Sequence, residues 1–286
     1  MNIPRLNGVI RQLEQGKHVF VTFAPPDVGN TIIAATEPYD GMVFEMEHNP
    51  YDGRTLRDCL QYLLNRRQIV ESGSIAPAVT PLVRIPVNGG EMSQWIAKQV
   101  LDIGVYGIIW PHISTVQEAY SAVASCRYAR LEGTPRFEPR GQRGDGPGTA
   151  ARYWGLTQQE YYDRADVWPI DPKGEILVGM MCEDVVGLKN LPKILKEVPG
   201  IGAVIIGEGD LSQNLGFPRQ YKHPTVAAAI NEIVSICREH NVACGHPHVD
   251  AKNVEEVMAK GFRWLMPKAE RTNAALALGR KLSSAT

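Results

Sequence analysis

Two apolar runs in this 286-residue chain each end in a carboxylate: EILVGMMCED runs to Glu183, and GAVIIGEGDLS carries Asp210 just past its apolar core. Ile176–Leu177–Val178 and Ala203–Val204–Ile205–Ile206 have the continuous apolar character of strands covered on both faces, as in a parallel sheet. On neighbouring strands the two acids would emerge side by side at one rim. Gly207 and Gly209 lie between them, where backbone must come close to something, and the set suits a hard divalent cation with open coordination positions. Each acid also has a plainer use. Glu183 could sit as a favourable charge at a helix N-terminus, and Asp210 could cap a short turn through Leu211 and Ser212.

Other polar groups reach the same rim if the strands are in register. Strand 41–46 runs into Glu45, Glu47 and His48, and strand 79–85 carries Arg84 in PLVRIP. A metal needs only acids and water; a fixed cation and an imidazole beside it suit a substrate that gains negative charge as a proton moves. Taken singly, His48 would more commonly hydrogen-bond within its loop before Pro50, and Arg84 would merely neutralise a strand-end acid. Their coincidence at one rim argues for an enzyme. His246 and His248 in GHPHVD have an alternate spacing that could ligate zinc or iron, and His112 in WPHIS points to the rim as part of the pocket wall. The chain has no GxSxG elbow, no HExxH and no P-loop, so hydrolases and kinases of those types find no support.

The elements that must position these groups follow a repeated rhythm. Short apolar runs at 18–23, 41–46, 79–85, 104–109, 175–182, 202–206, 242–246 and 262–266 alternate with amphipathic stretches. These stretches are Gly53–Arg67, Glu91–Leu101, Thr115–Cys126, Lys189–Glu197, His223–His240 and Ala251–Lys260. Eight such units predict a single (β/α)8 TIM-type barrel over 1–286. An open doubly wound sheet is the competing architecture, but no GxGxxG follows the first strand. One segment breaks the rhythm: 128–172, rich in Gly, Pro and Arg, is far longer than a usual loop. As an excursion after the fourth strand it is expected over the C-terminal face, as a lid or intersubunit arm, with Tyr153, Trp154 and Tyr161 packed against something. A C-terminal helix in 268–286 is expected to pair subunits.

Bulk properties narrow the class. A net charge of −1, with Lys and Arg scattered, lacks the basic stripe of a nucleic-acid binder. Five cysteines, odd in number and without a CxxC pair, read as reduced core thiols. The N-terminus has no apolar h-region and no run of about 18 apolar residues occurs, so a cytoplasmic protein with no membrane partner is expected.

FEMEHNPYD, PLVRIP, LDIGVYGIIWPHISTVQEA, the RGxRG segment, the Glu183 region and IIGEGDLSQNLG together resemble, in order from about residue 8 to 270, the metal-dependent HpcH/HpaI aldolases. These are class II pyruvate aldolases related to 2,4-dihydroxyhept-2-ene-1,7-dioate aldolase of aromatic compound catabolism. The resemblance implies that Glu183 and Asp210 bind Mg²⁺, Mn²⁺ or Co²⁺, which holds the carboxylate and keto oxygens of pyruvate. It makes His48 the base, Arg84 the group that stabilises the oxyanion, and Gly209 part of the pyruvate site through its backbone. Asp102, in QVLDIG, would raise the basicity of the histidine. Lying low on the barrel, it would reach a histidine of a neighbouring subunit in a homo-oligomer, a hexamer built as a trimer of dimers. The activity implied is reversible cleavage of a 4-hydroxy-2-oxo acid to pyruvate and an aldehyde through a metal-bound pyruvate enolate. An acyl-CoA lyase or oxo-acid decarboxylase on the same barrel, or a non-catalytic 2-oxo-acid-binding barrel, are the alternatives. The chain departs from the family pattern in having Met181 where many relatives have glutamine and Glu208 where proline is usual. Its 135–148 segment is also longer and lacks an expected serine. These departures bear on the substrate more than on the metal pair.

Overall fold

Runs of β-branched and other apolar residues form nine parallel strands among the described residues, 3–86, 92 and 94–285 of a computed structural model. They are β1 (Val19–Ala24), β2 (Gly41–Glu45), β3 (Thr80–Arg84), β4 (Gly107–Trp110), β5 (Val167–Trp168), β6 (Ile176–Cys182), β7 (Ile201–Ile206), β8 (Ala243–Val249) and β9 (Trp264–Pro267). Eight close into a ring in the order β1-β2-β3-β4-β6-β7-β8-β9, with β9 returning to β1 and β4 pairing directly with β6. This is the expected (β/α)8 barrel. Every residue of β6 and β7 is buried, because helices cover the outside while side chains fill the inside. Burial of that kind contributes about 1.5–3 kcal/mol per large apolar side chain.

The helices fall close to the amphipathic stretches. Gly53–Leu63, Gln94–Ile103, Val116–Ser125, Val185–Glu197, Pro224–Glu239 and Val254–Ala259 occupy the expected places, and Arg66–Ser72 continues the first as a separate helix. Glu91 lies outside the described residues. Two further helices, Gly8–Glu14 and Val28–Thr36, carried no strong periodic signal. The final helix, Ala274–Ala285, follows β9 and is the eighth helix of the barrel, with Gly279 packed against Phe20 and Val254.

The 128–172 segment is placed differently from expectation. It follows the helix Val116–Ser125, not β4, so it is an αβ connection and belongs to the N-terminal end of the barrel. Its own helices, Gly148–Trp154 and Gln158–Tyr162, pack there. Trp154 is buried, donates from Nε1 to Gly104 O at 2.8 Å, and stacks on Tyr106 with ring centroids 4.2 Å apart. Strand β5 pairs with Ile176 and Leu177 at the start of β6, below the point where β7 joins at Val178. Arg5 donates to Pro172 O and Gly174 O, tying the N-terminal residues to the same end. The segment is therefore a floor of the barrel and does not cover the C-terminal mouth.

Candidate active site

The rim at the C-terminal ends of the strands collects the polar groups. Glu45 and Arg84 are the last residues of β2 and β3 and stand opposite one another in the pairing register. Adjacent strand ends make their contact local: Arg84 Nε donates to Glu45 Oε2 at 2.5 Å, while Nη1 lies 2.7 Å from Glu47 Oε2. Glu45 Oε1 accepts from the backbone N–H groups of Glu47 and His48 at 2.8 and 3.0 Å, which fixes the turn that presents His48. The His48 side chain is 67% exposed, with Nε2 3.6 Å from Glu47 Oε2. Glu47 thus lies between the guanidinium and two imidazoles, His112 Nε2 being 3.6 Å from its other oxygen.

Glu183 and Asp210 come together as the sequence requires. Cys182 pairs with Ile206 at the ends of β6 and β7, so Glu183 emerges beside Gly207. The N-terminal cap of helix Val185–Glu197 is Asp184, whose Oδ1 accepts from Gly187 N at 2.7 Å. Glu183 is thereby free of capping and turns inward, where it is 2% exposed and accepts from the backbone N–H of His112 at 2.5 Å. Asp210 lies in the first turn of a helix, Glu208–Asn214, that is capped at Gly207 without a side-chain bond. Donor atoms of His112, Glu183 and Asp210 all lie within 4.8 Å of one another, and this is the one such three-residue group among the described residues. His112 holds φ +53, a left-handed conformation uncommon outside glycine, which aims its N–H at Glu183.

Electrostatics mark this cluster as short of positive charge. Burial pushes the Glu183 carboxyl up to about 7, with Glu47 and Asp210 adding to the shift and His112 opposing it. Burial likewise raises Glu47, against Arg84. A divalent cation at Glu183 and Asp210 would relieve that cost, and two carboxylates with one imidazole are a donor set that suits it. Glu208 faces the same cavity, and its burial also raises it to about 7.

Asp102, His246 and His248 have other partners within one chain. Asp102 is at the C-terminal end of helix Gln94–Ile103, at the N-terminal side of β4, where its Oδ1 accepts from Arg143 Nη2 at 2.8 Å; it does not meet His48. His246 packs edge-on against Phe262 and lies 3.4 Å from Glu208, and its burial lowers it to about 4. His248 sits at φ +60 beside Tyr221, and among the described residues the His-x-His pair forms no three-ligand group. Residues that spacing alone underplayed are Glu47 and the backbone of His112. The signal for Glu47 was its place two residues past a strand-end acid, in line with His48.

A cavity of about 830 Å³ opens over the rim, lined by Phe23, Glu45, His48, Arg84, Met181, Glu183 and the 207–210 turn, and continuing to Arg219, Tyr221, His248 and Lys268. Arg84 Nη1 also lies 3.4 Å from Met181 Sδ and its guanidinium sits over the Phe23 ring at 5.7 Å. Among the described residues, no helix is long and apolar enough to cross a membrane.

Comparison with known proteins identifies a family. The model of the HpcH/HpaI aldolase/citrate lyase family matches residues 19–266. A 2-keto-3-deoxy-L-rhamnonate aldolase of Klebsiella pneumoniae subsp. pneumoniae is 32% identical over 253 residues, covering 88% of this chain and 82% of the relative. One of the same name from Salmonella paratyphi B is 33% identical over 82% of this chain and 75% of its own. In structure, a HpcH/HpaI aldolase/citrate lyase family protein from Burkholderia cenocepacia superposes with a TM-score of 0.74 at 21% identity, covering 98% and 97% of the two chains. A HpcH/HpaI aldolase from Desulfitobacterium hafniense gives 0.69 at 22%, covering 96% and 94%. The chain therefore belongs to the HpcH/HpaI aldolase/citrate lyase family and is a carbon–carbon lyase.

Proposed function

We propose that the protein is a metal-dependent pyruvate aldolase that reversibly cleaves 4-hydroxy-2-oxo acids to pyruvate and an aldehyde. The observation that carries the reading is the convergence of Glu183, Asp210, Arg84 and His48 on one cavity. Glu183 and Asp210 would hold the divalent ion, Mg²⁺, Mn²⁺ or Co²⁺. Bound there, the ion supplies Lewis acidity to the oxygens of the 2-oxo acid.

The remaining work falls to the chain's own groups. Cleavage of the C3–C4 bond leaves negative charge on the pyruvate oxygen, and the Arg84 guanidinium, held in place by Glu45 and Glu47, is aimed to share it. His48, exposed at the mouth, takes the proton of the C4 hydroxyl in cleavage and returns it in addition. Gly209 leaves open space over its backbone, since a side-chain carbon there would meet nothing within 4 Å, and so allows a substrate carboxylate to approach. The paired relatives are named for a 2-keto-3-deoxy sugar acid, a compound of this substrate class. A contribution of Asp102 to His48 would come from a neighbouring subunit of a homo-oligomer.

The test is pyruvate release from 4-hydroxy-2-oxo acids by protein stripped with EDTA and reloaded with Mg²⁺, Mn²⁺ or Co²⁺. Activity should vanish on stripping, return with metal, and be abolished by Glu183→Ala or Asp210→Ala. Full activity in the stripped protein would overturn the reading.

A further inference from the structure

The cavity at the rim has far more room than a three-carbon 2-oxo acid needs, its 830 Å³ or so being in the range used by much larger ligands. The outer half is formed by segments that follow β7, β8 and β9, and it brings together Arg219, Lys252 and Lys268. None of these three has an ion pair or side-chain hydrogen bond among the described residues. Arg84, which lines the same cavity, behaves differently: it is taken by Glu45 and Glu47. Two acids share the outer wall. Asp250 Oδ1 accepts from the backbone N–H groups of Lys252 and Asn253, which ties that acid to its turn, and with Glu270 it still leaves the three cations one charge in excess.

Two of the three cations bear on one residue of this wall. His248 stands on this wall, and its imidazole is held below its ordinary value first by burial and then by Lys268 and Arg219, so both positive charges reach it. Tyr221 lies beside His248 with ring centroids 6.0 Å apart and adds a flat, partly apolar surface to this wall. A neutral polyhydroxy aldehyde would leave the excess positive charge without a counterpart. A carboxylate would offer two acceptor oxygens, whereas a phosphate monoester offers three and the larger charge, which matches the donors of Arg219 and the two lysines better.

We propose that this outer half binds a phosphate monoester at the far end of the aldehyde partner, so that the preferred substrates are 4-hydroxy-2-oxo acids with a terminal phosphate. The assignment rests on the pyruvate aldolase reading and names its acceptor. In the addition direction pyruvate loses a C3 proton, the C3 carbon bonds to the aldehyde carbon, and the aldehyde oxygen takes up a proton. The phosphate ester is neither formed nor broken, and no oxidant, reductant or further reactant is required.

The experiment uses the full chain with Mg²⁺ or Mn²⁺ and follows pyruvate consumption with glyceraldehyde 3-phosphate, glyceraldehyde or succinic semialdehyde as acceptor. The phosphorylated acceptor should be preferred over glyceraldehyde by about tenfold or more in kcat/KM, a size ordinary for one or two charged contacts. Arg219→Ala and Lys268→Glu, both at exposed positions, should each lower that preference about tenfold. A second readout needs no turnover: glycerol 3-phosphate titrated into metal-free protein should bind, and bind more weakly to both variants. Equal rates with the two glyceraldehydes, a preference unmoved by the variants, or absence of binding would overturn the proposal. A preference for succinic semialdehyde alone would overturn the phosphate in favour of a carboxylate. Exchange of pyruvate methyl protons in D₂O checks the underlying reading separately. Loss of exchange sinks that reading, while exchange without a phosphate preference sinks only the acceptor assignment.

Discussion

The Glu183 carboxylate occupies the space that a side chain on Gly207 would need. A carbon added at Gly207 would come within 2.3 Å of Glu183 Oε2 and 2.5 Å of Glu183 Cβ. Gly207→Ala should therefore push the buried acid out of position. We expect divalent-metal affinity to fall about 10- to 100-fold, the usual effect of disturbing a group that orients a ligand. Stability should fall by roughly 1–3 kcal/mol from overpacking. Mn²⁺ titration calorimetry checks the first effect; unchanged affinity would mean that Glu183 has room to move.

Glu47 is the carboxylate between Arg84 and the two rim histidines. Glu47→Gln keeps the shape and removes the charge, leaving Arg84 with Glu45 alone. The expected result is a drop in kcat of about 10- to 100-fold, as for loss of one charge-assisted contact. The KM for substrate should change much less, because the Arg84 guanidinium remains in the cavity. Steady-state kinetics separate the two.

The buried acids set a pH dependence on the metal-free protein. Glu208 titrates near 7 in the folded state, against about 4.5 for the ordinary side chain, and burial moves Glu183 the same way. Between these values the folded chain binds protons that the unfolded chain has released. Stability contributed by the protonated acids is thus lost as pH rises from about 4.5 through about 7, and is flat above. Metal competes with those protons at Glu183, so its affinity should rise over the same interval. Thermal melts with and without Mg²⁺ across pH 5–8 should show the two curves diverging upward in pH; parallel curves would contradict the assignment.

Trp154 is a structural anchor at the opposite end from the chemistry. Its truncation to Ala removes the bond to Gly104 O and the stack on Tyr106, and should cost about 3–5 kcal/mol. That lowers Tm by roughly 10 °C for a chain of this size. Calorimetry measures the loss, and KM for pyruvate should stay within about twofold.

Much of this organisation was legible in the sequence because the physics is local. Ile176–Cys182 and Ile201–Ile206 are continuous apolar runs, and adjacency in a parallel ring puts Glu183 beside Gly207 without further information. The pairing of Glu45 with Arg84 follows in the same way from register. Choosing between a cap and a ligand was harder, since Glu183 and Asp184 are neighbours of identical charge. Only the helix start at Val185 assigns the cap to Asp184 and frees Glu183. The N–H of His112 was beyond reach, because a positive φ at a histidine leaves no mark in composition. The placement of 128–172 went astray for a topological reason: a helix intervenes after β4, and crossing it moves the segment from the mouth to the floor.

That floor divides the molecule into two independently variable ends. The residues between Ser125 and Ile176 build helices, a two-residue strand and ion pairs such as Arg127 with Asp166, all on the side where the strands begin. None of those residues lines the mouth cavity, so they close the barrel from below without shaping the mouth of the same chain. A chain built this way can change its anchoring, and the surface it offers underneath, while the residues that line its own mouth stay the same.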